Sequence, residues 1–205
     1  QGIGDQILYA SLIEALAREV EHITVIIDLR LVNLLQRGCK AKNVTFLSHN
    51  ARVKMKDHDS HIPIASLAKY FINRVWDIPN SVSFGYMKAD PERVETLRKE
   101  YGLHEDDYVV GLSWTSTAPI IGPHKSVPLA DFKPILDTSH LKFINLQYGD
   151  AHKDGVDFHP SLITTHIDTF LDLENVAALI EICSVVISPS CATVHLARSE
   201  EHTSE

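Results

Sequence analysis

The chain is poor in the features that most quickly place a protein. Only three of its 205 residues are cysteines: Cys39, Cys183 and Cys191. None forms a C-x-x-C pair and the count is odd, which argues against a disulfide scaffold and fits a reducing, cytoplasmic setting. No apolar run reaches the length of a membrane span, and no secretory signal is present. H-E-x-x-H, G-x-S-x-G and a full G-x-x-x-x-G-K-[ST] loop are all missing, so zinc-protease, α/β-hydrolase and P-loop readings have no support. His58, His61, His159 and His166 are scattered, and Asp57 to His61 is a soft polar loop. No metal centre is expected. An excess of basic charge is lacking too: 19 Lys and Arg stand against 27 Asp and Glu, a formal net charge of -8. Such a surface repels nucleic acid and anionic lipid, although a local basic pocket remains compatible with an anionic ligand. No internal repeat is evident.

What is present suits a folded α/β protein. Hydrophobic residues make up 44% of the chain, enough for a substantial core, and 22% are charged, which argues against global disorder. The length allows one large domain or two small ones. Ile7, Leu8, Leu12, Ala15, Leu16 and Val20 recur at helical spacing over residues 5–20. Ile23 to Ile27 reads as a strand, residues 30–37 as a helix closed by Gly38, and Val44 to Leu47 as a second strand. A polar loop over 48–61 and a helical mix over 62–76 lead to a charged helix at 91–101. The second half repeats the alternation. Strands are expected at Tyr108 to Trp114, Leu141 to Gln147, Ile163 to Ile167 and Ser184 to Ser188. Helices are expected around Phe132 to Leu136 and Leu173 to Ile182. Strand–helix alternation is the mark of parallel sheets flanked by helices. The domain boundary is placed near 88–107, giving domains at 1–100 and 101–197.

Three clusters could carry chemistry. Gly2-Ile3-Gly4-Asp5 offers G-x-G without the third glycine of a dinucleotide fingerprint, so a dehydrogenase is disfavoured. Asp5 could cap the following helix, or act as a rigid carboxylate that takes a proton from a hydroxyl. The second cluster joins Trp114-Thr115-Ser116-Thr117 to His124-Lys125-Ser126. Thr115 follows a strand end, where hydroxyls and backbone N–H groups meet phosphates, and Lys125 is either a diphosphate-neutralising charge or an ordinary surface lysine. The third cluster is the most informative. Val185-Val186-Ile187 is a buried strand, followed by the tight turn Ser188 to Thr193 and a new helix. Its N-terminal N–H groups form a ready anion site, with Ser190 and Thr193 as hydroxyl donors. His195 could donate to a phosphate or leaving-group oxygen, or simply pack. Asp168 and Asp172 could hold ribose or sugar hydroxyls, or cap a helix.

At these clusters the chain resembles the two-domain glycosyltransferases that include the heptosyltransferase-like enzymes and the catalytic region of O-linked GlcNAc transferase. Their bacterial relatives often carry tetratricopeptide repeats upstream. The matching segments are Gly2 to Gln6, Gly111 to Trp114, Lys125 to Leu129, Leu146 to Asp150 and Val186 to Ala197; the pattern departs from the family's at Cys191-Ala192. The resemblance implies a GT-B fold, two Rossmann-like domains with parallel sheets and the active site between them, both incomplete here. It implies an N-terminal acceptor-side domain and a C-terminal domain holding a nucleotide-sugar, with no cofactor. Asp5 matches a proposed general base and Lys125 a diphosphate-contacting lysine, while Thr193 and His195 lie in the segment that wraps the diphosphate. The implied reaction is an inverting, metal-independent transfer to a hydroxyl of a glycan, lipid-linked or protein acceptor. A non-catalytic binding relative and a nucleotide-sugar epimerase of the same fold are the alternatives. The chain is expected to be a fragment that begins inside its first motif and is inactive alone. Its octet 198–205 resembles translated sequencing-adaptor read-through rather than native sequence.

Overall fold

The computed structural model describes residues 2–118, 120–149 and 159–199. In chain order the first part holds helices α1 (Ile3–Ala10) and α2 (Ile13–Ala17), strand β1 (Ile23–Ile27), helix α3 (Leu29–Gly38) and strand β2 (Val44–Ser48). Two short helical turns, α4 (Ala68–Phe71) and α5 (Ile78–Ser81), precede helix α6 (Pro91–Glu100). The second part runs through β3 (Tyr108–Leu112), α7 (Gly122–Lys125), α8 (Lys133–Leu136), β4 (Leu141–Asn145), β5 (Leu162–Ile163), α9 (Leu173–Ile182), β6 (Val185–Ile187) and α10 (Ala192–Ser199).

All pairings are parallel. β1 pairs with β2, Ile23 opposite Val44 and Ile27 opposite Ser48. The second sheet has the order β5-β4-β3-β6. Its central strands β3 and β4 bury residues on both faces, as parallel strands covered by helices do, while the edge strand β6 is only half-buried. The two-residue alternation is visible in the packing. Val109 and Ile144 join the larger core with α1, α3, β1 and α9. Val110, Leu112 and Phe143 face the opposite way, into a smaller core with Trp114, Leu129 and Leu136.

The expected elements mostly stand where the pattern places them, with three differences. The helix expected over 5–20 starts earlier and breaks in two. Its N-cap is Gly2, and the break falls at Ser11, whose Oγ donates to the Leu8 carbonyl. The strand expected at Ile163 to Ile167 is reduced to Leu162–Ile163, which pairs with only two residues of β4. The helical mix over 62–76 resolves into short turns with Pro63 at the head of the first. Helix α6 packs on α9 and α1 on α10, so the two halves share the larger core. Arg198 and Ser199 complete α10. Ser199 is buried, and its carbonyl accepts from the Met87 N–H. Pro119, Asp150 and residues 200–205 of the tail lie outside the described residues.

Candidate functional site

Strand order fixes where a ligand would sit. From β3 the chain crosses to β4 and β5, then returns to place β6 on the other side of β3. The loops leaving the C-terminal ends of β3 and β6 therefore diverge, which makes a crevice at a topological switch point. Lys125 closes that crevice: its Nζ donates to the Ser190 carbonyl at 3.2 Å, joining the segment after β3 to the turn after β6. A cavity of about 310 Å³ lies there. Ser116, Thr117, Ala118, Lys125, Tyr148, Ser190 and Thr193 line its polar side. Ile3, Ile7, Leu173, Val176 and Leu196 line its apolar side, with Arg30 and Phe170 at its edge.

The loop after β3 is held by a single buried amide. Gln147 Oε1 accepts from the Ser113 hydroxyl and from the backbone N–H groups of Trp114 and Thr115, the latter two at 2.8 Å. Its Nε2 donates to the carbonyls of Thr115 and Tyr148. Beyond it, Ser126 Oγ accepts from Ser116 N and donates to the Gly122 carbonyl. The Tyr148 hydroxyl accepts from Thr117 N. A Cβ on Gly122 would lie 2.2 Å from the Ser116 carbonyl oxygen, so only glycine lets α7 come this close to the loop.

At the other wall two helix N-termini meet. A Cβ on Gly4 would lie 3.2 Å from His195 Cδ2 and 3.7 Å from Ala192 Cα, so glycine lets the first turn of α1 rest on the start of α10. Both helices present the positive ends of their dipoles to this region. His195 is half-buried, and burial pushes its pKa down; the Asp5 carboxylate opposes that shift, while Arg198 and Lys125 reinforce it. Asp5 is exposed in the first turn of α1. The N-cap position belongs to Gly2 and no side chain caps the helix, so the capping reading of Asp5 does not hold.

The residues singled out from the sequence thus separate. Lys125, Ser190 and Thr193 share the cavity, and Asp5 and His195 lie within electrostatic reach of each other beside it. Thr115 is tied back to Gln147 and is not among the lining residues. Asp168 Oδ1 accepts from the N–H groups of Phe170 and Leu171, and Asp172 caps α9 by accepting from Asn175 N. Arg30 escaped the sequence reading. Its guanidinium makes a bidentate pair with Asp28, donates to the Phe170 carbonyl at 2.7 Å and lies over the Phe170 ring. It also holds the Asp28 carboxyl below the usual carboxylate range. A lone arginine in the first turn of a helix carries no motif, so its role appears only when residue 170 comes near.

Two solved structures share this architecture. The glycosyl transferase family 9 protein of Veillonella parvula superposes with a TM-score of 0.66 at 14% identity, covering 98% of this chain and 76% of its own. The ADP-heptose LPS heptosyltransferase II of E. coli gives 0.63 at 13% identity, covering 95% and 78%. The fold is GT-B. In sequence, protein FlbA of Caulobacter vibrioides is 25% identical over 222 aligned residues, which cover 96% of this chain and 36% of FlbA. The chain thus spans about a third of that relative. No family model matches it. In a GT-B frame the cavity occupies the crevice between the two sheets, on the C-terminal side of β3 and β6. Among the described residues no helix is long and apolar enough to cross a membrane, and no cluster of metal-ligating side chains occurs.

Proposed function

We propose that this chain is the catalytic part of a longer glycosyltransferase, moving a sugar from a nucleotide-sugar to a hydroxyl acceptor with inversion and without a metal. One observation carries the reading: Lys125 bridges to Ser190 across the switch point, directly beside the N-terminus of α10. An ammonium and a helix N-terminus are there a fixed positive field for the diphosphate, strongest where charge builds on the leaving group. Thr193 and Ser190 add hydroxyl donors. The depressed pKa of His195 keeps its imidazole neutral near pH 7, so it donates one N–H to a leaving-group oxygen without adding a competing cation. Asp5, uncommitted to capping, takes the acceptor's proton as its oxygen attacks the anomeric carbon. The bond to the diphosphate breaks as the new glycosidic bond forms, and the diphosphate leaves with its electron pair. Since protein groups supply the positive charge in this scheme, chelation is expected to leave transfer unchanged.

Donor binding is measured on the 205-residue chain with adenosine and uridine diphosphates, and single-turnover transfer on the longer parent. Lys125→Ala is expected to weaken diphosphate binding about tenfold or more, since it removes a charge a few ångströms from the phosphates. Asp5→Asn is expected to spare donor binding and slow transfer by about 10²–10⁴. His195→Ala is expected to impair both. Unchanged affinity and transfer in both the Lys125 and His195 variants would refute the scheme and favour a non-catalytic binding module.

A further inference from the structure

Exposure alone singles out no ligand surface on this chain, because large apolar side chains stand in solvent at many places, among them Val75, Ile120 and Leu171. Position singles out Phe170: among the described residues it is the one exposed large apolar side chain that also lines the cavity. Its ring is 54% exposed, yet it is fixed from several sides. Asp168 Oδ1 accepts from the N–H groups of Phe170 and Leu171, which sets the turn. Thr169 Oγ1 donates to the Gln147 carbonyl and ties the same turn to the residue that organises the loop after β3. Arg30 Nη1 donates to the Phe170 carbonyl at 2.7 Å, and its guanidinium lies over one face of the ring, 5.1 Å from the centroid. Asp28 holds that guanidinium in place and balances its charge. The ring is thus a supported aromatic surface at a cavity mouth, with its second face left for another flat group.

A nucleotide-sugar has one flat aromatic group, its base. Lys125, Ser190 and the start of α10 mark the place of the diphosphate in the transferase reading, on which this inference rests. Asp5 and His195, assigned there to the acceptor's proton and the leaving-group oxygen, mark the sugar end. Phe170 belongs with a different set of lining residues, Thr169, Tyr148 and Thr117, which hydrogen bonds join through the Gln147–Tyr148 corner after β4. That set offers the polar edge a nucleoside needs. The Tyr148 hydroxyl accepts from Thr117 N and keeps its own proton to donate, and Thr169 Oγ1, having donated to Gln147, keeps its lone pairs to accept. We propose that Phe170, backed by Arg30, is the platform on which the base of the donor nucleotide stacks, with Tyr148 and Thr169 hydrogen-bonding to the nucleoside beside it. Stacking of this kind tolerates any base, because every base has a π-face, and its strength grows with the size of the ring system.

The 205-residue chain is titrated calorimetrically with adenosine diphosphate, uridine diphosphate and inorganic pyrophosphate. Phe170→Ala is expected to weaken both nucleotides roughly fivefold to 100-fold, adenosine diphosphate the more, and to leave pyrophosphate as in the wild type. Phe170→Tyr should keep wild-type affinity. Phe170→Leu, which retains an apolar wall without a π-face, should lose most of it. Arg30→Ala should fall between the wild type and Phe170→Ala. Because the ring stands at the surface, the three Phe170 variants should melt with the wild type. Full nucleotide affinity in Phe170→Ala or Phe170→Leu, with Lys125→Ala still weakening the same ligands, would overturn the platform and leave the transferase reading standing. An equal loss for pyrophosphate would overturn it too, since Phe170 would then be shaping the cavity rather than meeting a base. A wild-type chain that bound neither nucleotide would sink the diphosphate site itself, and the platform with it.

Discussion

Gly122→Ala offers a sharp test of how the cavity is built. The new methyl would sit 2.2 Å from the Ser116 carbonyl oxygen and 3.1 Å from its carbon, and both are backbone atoms that cannot rotate away. Ordinary contact is about 3.5 Å, so the two segments must separate by about 1 Å or more. That movement acts on Gly122 N donating to Ala118 O and on Ser116 N donating to Ser126 Oγ. Each lost bond costs about 0.5–1.5 kcal/mol, and overpacking adds about 1–3 kcal/mol. The total of about 2–6 kcal/mol corresponds to a fall in Tm of roughly 5–20 °C for a chain of this size. Because Ser116, Thr117 and Ala118 line the cavity, diphosphate affinity should fall about tenfold or more. Gly102→Ala is the control. Gly102 has φ +61° with open space around its Cβ position, and it is not among the cavity-lining residues. It should cost about 1–2 kcal/mol of backbone strain and leave affinity unchanged. Scanning calorimetry and isothermal titration read the two effects. A Gly122→Ala protein with wild-type Tm, or one that melts early yet binds normally, would refute the close approach of α7 to the loop as the determinant of the cavity.

Three further outcomes are expected. Burial lowers the His195 pKa below its ordinary 6.5, so the unfolded chain binds the proton more readily than the folded one. Stability should therefore fall as pH drops from that value toward the lower folded one and stay level above it. Urea unfolding between about pH 7.5 and 5.5 should show His195→Gln with a flatter profile. Cys183 is buried and its thiol is pushed up to about 12, whereas Cys191 lines the cavity, so iodoacetamide should modify Cys191 before Cys183 and bound diphosphate should slow the Cys191 reaction, as read by peptide mass spectrometry. The Tyr86 hydroxyl donates to the Ile7 carbonyl in a buried position, so Tyr86→Phe should destabilise the chain by about 1–3 kcal/mol in denaturant titration.

Local signals were legible where they were self-sufficient. β1 and α9 occupy the spans expected from sequence, because an unbroken β-branched run and an apolar stripe each declare their own geometry. Asp28 and Asp172 help by capping the helices that follow. Lys125 and Ser190 were each picked out as candidate diphosphate ligands, and the Lys125 ammonium donates to the Ser190 carbonyl. Signals that depend on a distant partner were not legible. Thr115 looked like a phosphate ligand, but its N–H is claimed by Gln147, more than thirty positions away. Asp5 could be read from sequence as a cap or as a base, and capping is ruled out only because the helix begins earlier, with Gly2 in the cap position. Arg30 gains meaning only through Phe170, which no periodicity connects to it.

The contact of Gly4 with Ala192 also has a bearing on the order of assembly. The two residues stand near opposite ends of the sequence, yet α1 and α10 pack directly on one another. During synthesis α1 emerges before α10 and has no α10 to rest on until the residues between them have followed. The β1–β2 pair and the β3–β4 pair close over shorter loops and can form earlier, since closing a longer loop costs more entropy. Within residues 2–199 the cavity wall built from Ile3 and Ile7 is therefore among the last parts to form. Until then those isoleucines are exposed apolar surface of the kind that chaperones hold, and the cavity is incomplete before α10 is in place.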